Sequence, residues 1–220
     1  MSSSCDVAII GVTGMIGDIL VDVLDEHDFS IAKLFLVDEE TVAGGRLMYK
    51  GQSQRVEPLE RFDFSLVKVA VFLGAASMAE AWIPRALAAG CTIIDASGSS
   101  RNNAQAPMVV ADANSHVLNG FAAPGVIACP DSQVVQAVLA LQPIVRESGV
   151  QSIAVATYQS MSTLDQDAVE GLALQTGRLL NGQPAEAGAL AKQAAFNLIP
   201  RTGELDEQGF TRDEARLGED

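Results

Sequence analysis

One segment constrains the fold more than any other: the glycine turn Gly11-Val12-Thr13-Gly14-Met15-Ile16-Gly17. It joins an apolar run, Asp6–Ile10, to an amphipathic stretch reaching about Glu26. A strand, a Gly-x-x-Gly-x-x-Gly turn and a helix in that order present backbone N–H groups and a helix N-terminus to an anion such as a pyrophosphate. The spacing differs slightly from G-x-G-x-x-G, but the strand-before, helix-after context is the one the chemistry needs. Gly11, Thr13, Gly14, Met15, Ile16 and Gly17 are therefore candidate nucleotide contacts.

The pattern continues as alternating strands and helices. Lys33–Val37 predicts a second strand ending at Asp38, and Tyr49–Val56 a polar excursion or edge strand. Val67–Leu73 is continuously apolar, as a strand covered on both faces would be, and Gly74-Ala75 follows it. Ala79–Ala89 predicts a helix stopped by Gly90, Cys91–Asp95 a strand, and Met108–Ala111 another short one. This alternation implies right-handed crossovers and a doubly wound parallel sheet of Rossmann type over residues 1–130. Residues 131–220 read as a second α+β domain. Val126–Ala128, a short strand, leads into a helix capped at Asp131 or Ser132, and Gln151–Tyr158 alternates like a strand. A helix follows over Asp165–Leu180, then a strand over Ala195–Pro200, and Thr211–Glu214 has the T-x-x-E form that starts a helix.

Composition narrows the function. The chain has 220 residues with a net charge of −14, which argues against nucleic acid or an anionic membrane as partner. No apolar stretch reaches the ~18–20 residues of a membrane span. Met1–Asp6 lacks a basic segment ahead of an apolar one, so export is not expected and a reducing cytoplasm is the default. Three cysteines (Cys5, Cys91, Cys129) and two histidines (His27, His116) show no metal-ligand spacing, so no metal is expected. Asp38, near ~20 residues past the glycine turn, could bond a ribose 2′-hydroxyl, and Asp38-Glu39-Glu40 would repel a 2′-phosphate. The residues themselves thus favour NAD over NADP.

Several segments occur in one order: Gly11–Gly17; Ile93-Ile94-Asp95-Ala96-Ser97 with Arg101; Val109–Asn114; Ala128-Cys129-Pro130-Asp131-Ser132-Gln133; Thr157-Tyr158-Gln159; and Ala195–Pro200. Together they resemble aspartate-semialdehyde dehydrogenases, most closely the divergent USG-1-type members. The resemblance implies an NADP-binding domain, to which Ala75 and Ser97 would contribute, and a homodimer-forming second domain. It implies a phosphorylating aldehyde dehydrogenase acting through a cysteine thioester, with a glutamine in the active site and a phosphate-binding arginine. By position Arg101 matches that arginine and Gln159 that glutamine. Glu214 and Arg216 fall in the substrate-binding Glu…Lys stretch, with Arg where Lys is usual.

The departures point elsewhere. The family's Asn-Cys-Ser/Thr segment aligns with Asp131-Ser132-Gln133, so serine stands at the nucleophile position. A hydroxyl is far less acidic than a thiol and needs an adjacent base. Cys129, across Pro130, reads as a small buried residue rather than a displaced nucleophile. The family's Ser-Gly-Ala-Gly loop is replaced by Ser162-Thr163-Leu164-Asp165, and the segment carrying its acid/base histidine has no counterpart. The second domain is therefore expected to be incomplete. Three functions stay open: a catalytically impaired homologue, a working NAD(P)-dependent enzyme on L-aspartate 4-semialdehyde, or a non-enzymatic nucleotide-sensing or interaction protein.

Overall fold

A computed structural model describes residues 4–27, 29–186, 192–200 and 203–219. The described residues up to Gly149 form one compact unit and Val150–Glu219 a second. The first therefore includes the helix after Pro130, which the sequence reading places in the second domain.

The first unit is built on β1 (Cys5–Ile10), α1 (Met15–Glu26), β2 (Ile31–Asp38), the pair β3 (Arg46–Tyr49) and β4 (Gln52–Arg55), β5 (Glu57–Pro58), β6 (Val69–Phe72), α2 (Ala76–Ala88), β7 (Thr92–Asp95), α3 (Ala111–Asn114), β8 (Val126–Ala128) and α4 (Ser132–Ser148). Six strands form one parallel sheet in the order β5-β2-β1-β6-β7-β8. Successive strand residues point to opposite faces, so β1 feeds two cores. Ala8 and Ile10 pack with Phe35, Phe64, Phe72 and Ile83 of α2, while Val7 and Ile9 pack with Leu34, Leu36 and Val21 of α1. Full burial of each such aliphatic side chain contributes about 1.5–3 kcal/mol, which explains why the central strands read as unbroken apolar runs. The expected excursion near Tyr49–Val56 is an antiparallel hairpin, β3–β4, turning at Lys50 and Gly51, both with positive φ.

Met108–Ala111 does not form the expected strand. Met108 makes a single parallel bridge to Ala128, and Ala111 opens α3. The Asn114 carboxamide sets this turn, accepting from Val110 N and donating to Met108 O.

The second unit holds α5 (Gln166–Leu180) and α6 (Arg212–Glu219). Asp165 caps α5 through Ala168 N at 2.7 Å. The expected capping box is present: Glu214 accepts from Thr211 N at 2.7 Å, and Thr211 Oγ1 accepts from Glu214 N. Gln151–Tyr158 and Ala195–Pro200, expected as strands, are not strands. Alternation signals a strand only where a neighbour completes the ladder. Here Ile153 and Val155 are exposed and have no ladder partner among the described residues, and Phe196 takes a left-handed φ of 54° that no strand residue adopts. No helix among the described residues is long and apolar enough to cross a membrane.

Glycines test these packing statements. A Cβ on Gly17 would sit 1.9 Å from the Val12 carbonyl oxygen, so Gly17→Ala should cost at least about 2 kcal/mol. A Cβ on Gly171, inside α5, meets nothing within 4 Å, so Gly171→Ala should gain about 0.5–1 kcal/mol. Urea unfolding of the two variants checks the pair, and equal effects would contradict it.

Candidate functional site

The sheet order places β1 between β2 and β6, so consecutive connections leave β1 in opposite directions. This makes a crevice at the strands' carboxyl ends, where ligands of open α/β sheets bind. Its floor is backbone on backbone: a Cβ on Gly11 would lie 2.6 Å from Gly74 N and 2.7 Å from its Cα. Gly11 N donates to Val37 O at 2.9 Å, and Leu73 N to Ile10 O at 2.9 Å, tying the turn to both neighbouring strands.

The turn then crosses toward β2. Asp38 lies at the end of β2 as expected, but it is buried and faces the turn. One oxygen accepts from Thr13 N at 2.7 Å and from the Thr13 hydroxyl, and the other from Glu39 N at 2.8 Å. Asp38 is thus a clamp on the glycine turn. The α1 N-cap is Gly14, which has no side chain to cap with, and a Cβ there would meet nothing within 4 Å. The first N–H groups of α1 therefore lack intrahelical partners and have no side-chain cap. Thr13 and Ile16 are exposed beside them, Met15 is half-buried and Gly17 is buried. Ala75, exposed at the α2 N-cap, follows Gly74 across the crevice.

A second polar knot lies after β7. Asp95 is 1 % exposed and accepts from Ser97 N (2.9 Å), Ser97 Oγ (2.5 Å), Ser99 Oγ (2.8 Å) and Ser100 N (2.7 Å). Burial pushes its carboxyl up, but the bonds from Ser97, Ser100 and Ser99 outweigh it and hold it below the ordinary aspartate range. Ser97 is therefore spent on Asp95 and only half-exposed. The loop ends at Arg101, whose guanidinium lies 3.5 Å from Asp131, while a Cβ on Gly98 would meet Arg101 Nε at 3.2 Å. Asp131, not Ser132, caps α4, accepting from Gln133 N. Ser132 is the first residue of α4, exposed and with no side-chain hydrogen bond among the described residues. Burial raises the Cys129 thiol, and the negative charge of Asp95 raises it further. Cys91 lies in the core with its S–H directed at Phe64 O and Val67 O, and burial raises it too. Cys129, expected to be buried, is half-buried.

In the second unit, Gln159 and Glu214 line one cleft of about 550 Å³ whose walls include Met161, Leu164, Leu172 and Leu198. Arg216, half-exposed on α6, is not among the lining residues. Glu214 is tied to Thr211, whose N–H and hydroxyl hold its carboxyl below the usual glutamate range. Thr163 caps its own turn through Ser160 O.

Residues 6–121 match the NAD-binding domain of semialdehyde dehydrogenases, and residues 141–219 match the dimerisation domain of the same enzymes. The chain belongs to the aspartate-semialdehyde dehydrogenase family. It is 36% identical to aspartate-semialdehyde dehydrogenase 2 of Vibrio cholerae over 99% of its own length and 64% of that protein's. It is 38% identical to a USG-1 protein homologue of Azotobacter vinelandii, over 100% and 65% respectively. A crystal structure of the Vibrio cholerae aspartate semialdehyde dehydrogenase II superposes with a TM-score of 0.93 at 35% identity, covering 98% of this chain and 64% of that one. The chain thus spans just under two thirds of the length of these relatives.

Within this aspartate-semialdehyde dehydrogenase frame, three features escaped the sequence reading. They are the Asp38 clamp, the Asp95 knot and the Arg101–Asp131 pair. Only the Asp95 knot carries a local signal: Asp-x-Ser-x-Ser-Ser at 95–100 is a side-chain-to-backbone turn pattern, whereas the Asp38 clamp reaches Thr13, twenty-five residues away. The third joins residues thirty positions apart and has none.

The Asp95 knot predicts a pH dependence. A depressed folded-state value means that its contribution is complete above the ordinary aspartate range and is lost as pH falls through that lowered value. Asp95→Asn, which turns an amide on donors, should cost about 2–4 kcal/mol at pH 7 and flatten the acid limb of the stability curve. Urea midpoints between pH 3 and 7 check both, and a neutral substitution would refute the assignment.

Proposed function

We propose that this protein is a nucleotide-binding aspartate-semialdehyde dehydrogenase homologue of USG-1 type whose catalysis is impaired at the nucleophile. The observation that carries the reading is Ser132, exposed in the first turn of α4, with no base bonded to it among the described residues. A helix N-terminus would activate a thiol, but a hydroxyl with a far higher pKa gains too little from it. No substitute is at hand. Cys129 and Cys91 are both raised by burial, and His27 ends α1 while His116 sits in the Ser115–Leu118 turn.

The crevice supports nucleotide binding. Gly11, Thr13, Gly14, Met15, Ile16 and Gly17 with the uncapped start of α1 would hold a pyrophosphate, and Ala75 and Ser97 flank the same sheet edge. NAD is the better fit. Glu39 is exposed beyond Asp38 without an ion-pair partner among the described residues, while Glu40 is paired with Arg61. A 2′-phosphate would meet that uncompensated charge. Arg101 is read as the phosphate-binding arginine of the first unit; within the second unit Gln159 is read as the active-site glutamine, and Glu214 and Arg216 as substrate-binding residues. The match of residues 141–219 to a dimerisation domain supports a homodimer, and three thiols without a disulfide fit a cytoplasmic setting.

With aspartate semialdehyde and phosphate, the purified protein should reduce neither NAD nor NADP above background. Turnover approaching the roughly 1–10³ s⁻¹ of ordinary enzymes would overturn the reading. In calorimetric titration NAD should bind at least about tenfold more tightly than NADP. Tighter NADP would reverse the cofactor assignment.

A further inference from the structure

The Arg101–Asp131 pair bears on what the first unit can bind. Arg101 leaves the Asp95 knot with its side chain only 15% exposed, and the guanidinium is 3.5 Å from an Asp131 carboxylate oxygen. Asp131 is also the N-cap of α4, a seventeen-residue helix. One carboxylate therefore sits between the two groups that would attract an anion, the guanidinium and the helix N-terminus. The buried Asp95 adds a second negative charge to the same loop. Asparagine at 131, the residue the resemblance implies there, would cap the helix equally well but carry no charge.

We propose that Asp131 is a specificity residue that acts as the internal counter-anion of Arg101. It closes this subsite to phosphate and other oxyanions and leaves it suited to a neutral hydrogen-bonding group such as an amide or hydroxyl. The proposal rests on the reading of Arg101 as the subsite's cation. Ser132 and Asp131 then change together: one residue removes the thiol, and its neighbour removes the anion affinity that a phosphorylated substrate requires. Charge is the operative difference, because the amide is nearly isosteric with the carboxylate.

The test is binding of inorganic phosphate to the full chain at fixed ionic strength, read by calorimetry or by ³¹P line broadening. Asp131→Asn should bind phosphate at least about tenfold more tightly than the unaltered protein. The gain should vanish when Arg101→Met is added. Asp131→Ser, which also caps helices well, should show the same gain and carries the test if the asparagine variant folds poorly. Equal phosphate affinity in the unaltered and Asp131→Asn proteins would overturn the proposal, as would a gain that survives Arg101→Met. The NAD titration reads the nucleotide crevice separately, so its failure would refute the proposed function and leave the phosphate result standing on its own.

Discussion

The contact of two bare backbones, Gly11 against Gly74, is the constraint on which the first unit depends. Strands β1 and β6 lie side by side, and the chain must leave both at the same edge in different directions. Any side chain at Gly11 would collide with the main chain at Gly74. Because the two turns touch, α1 and α2 start at fixed places on either side of the crevice. Gly14 at the start of α1 offers no side-chain cap, and exposed Ala75 stands at the start of α2. Helix N-termini favour anions, and here one opens beside the crevice of a chain whose net charge is −14.

Buried carboxylates finish what the glycines begin. Asp38 and Asp95 stand at the ends of β2 and β7, both at the carboxyl edge of the sheet. Asp95 spends its oxygens on the N–H and hydroxyl groups of the loop that follows it, and Asp38 on the N–H and hydroxyl of Thr13 in the glycine turn and on Glu39 N. The bonds that Asp95 accepts hold it below the ordinary aspartate range despite burial, and both carboxylates turn Ser- and Thr-bearing segments into defined turns. The acidity of the chain is therefore not only a matter of solubility. Some of its negative charges are structural fasteners aimed inward, while Glu39 remains exposed.

What was legible in the sequence follows the range of the forces involved. Strands β1, β2, β6 and β7 announced themselves because burial on both faces demands runs such as Val67–Leu73. The helix ends at Asp165 and Thr211 were readable because caps act over three residues. The failures were non-local. Gln151–Tyr158 has strand-like alternation, but whether its N–H groups find a ladder depends on a neighbour that no local pattern encodes. Asp38 was placed at the right position for the reason of ribose recognition, whereas its carboxylate is engaged by Thr13, twenty-five residues earlier. The acid was legible; the group that claims it was a matter of tertiary geometry.

The same distinction governs the chemistry after β8. Serine stands at 132, where the resemblance to the family implies a thiol, and the proposed impairment is argued from the acidity of a hydroxyl. The meaning of Asp131 appears only when α4 and the loop after β7 are brought together. Nothing local tells whether an aspartate before a helix is simply a cap. Opposite Arg101 it caps and neutralises at once, and the two roles pull apart under substitution because the cap needs only an oxygen acceptor while neutralisation needs a charge. A site can therefore keep its architecture, with sheet, crevice, helix and arginine all in place, and still lose its affinity for an anion through a single atom's difference between a carboxylate and an amide.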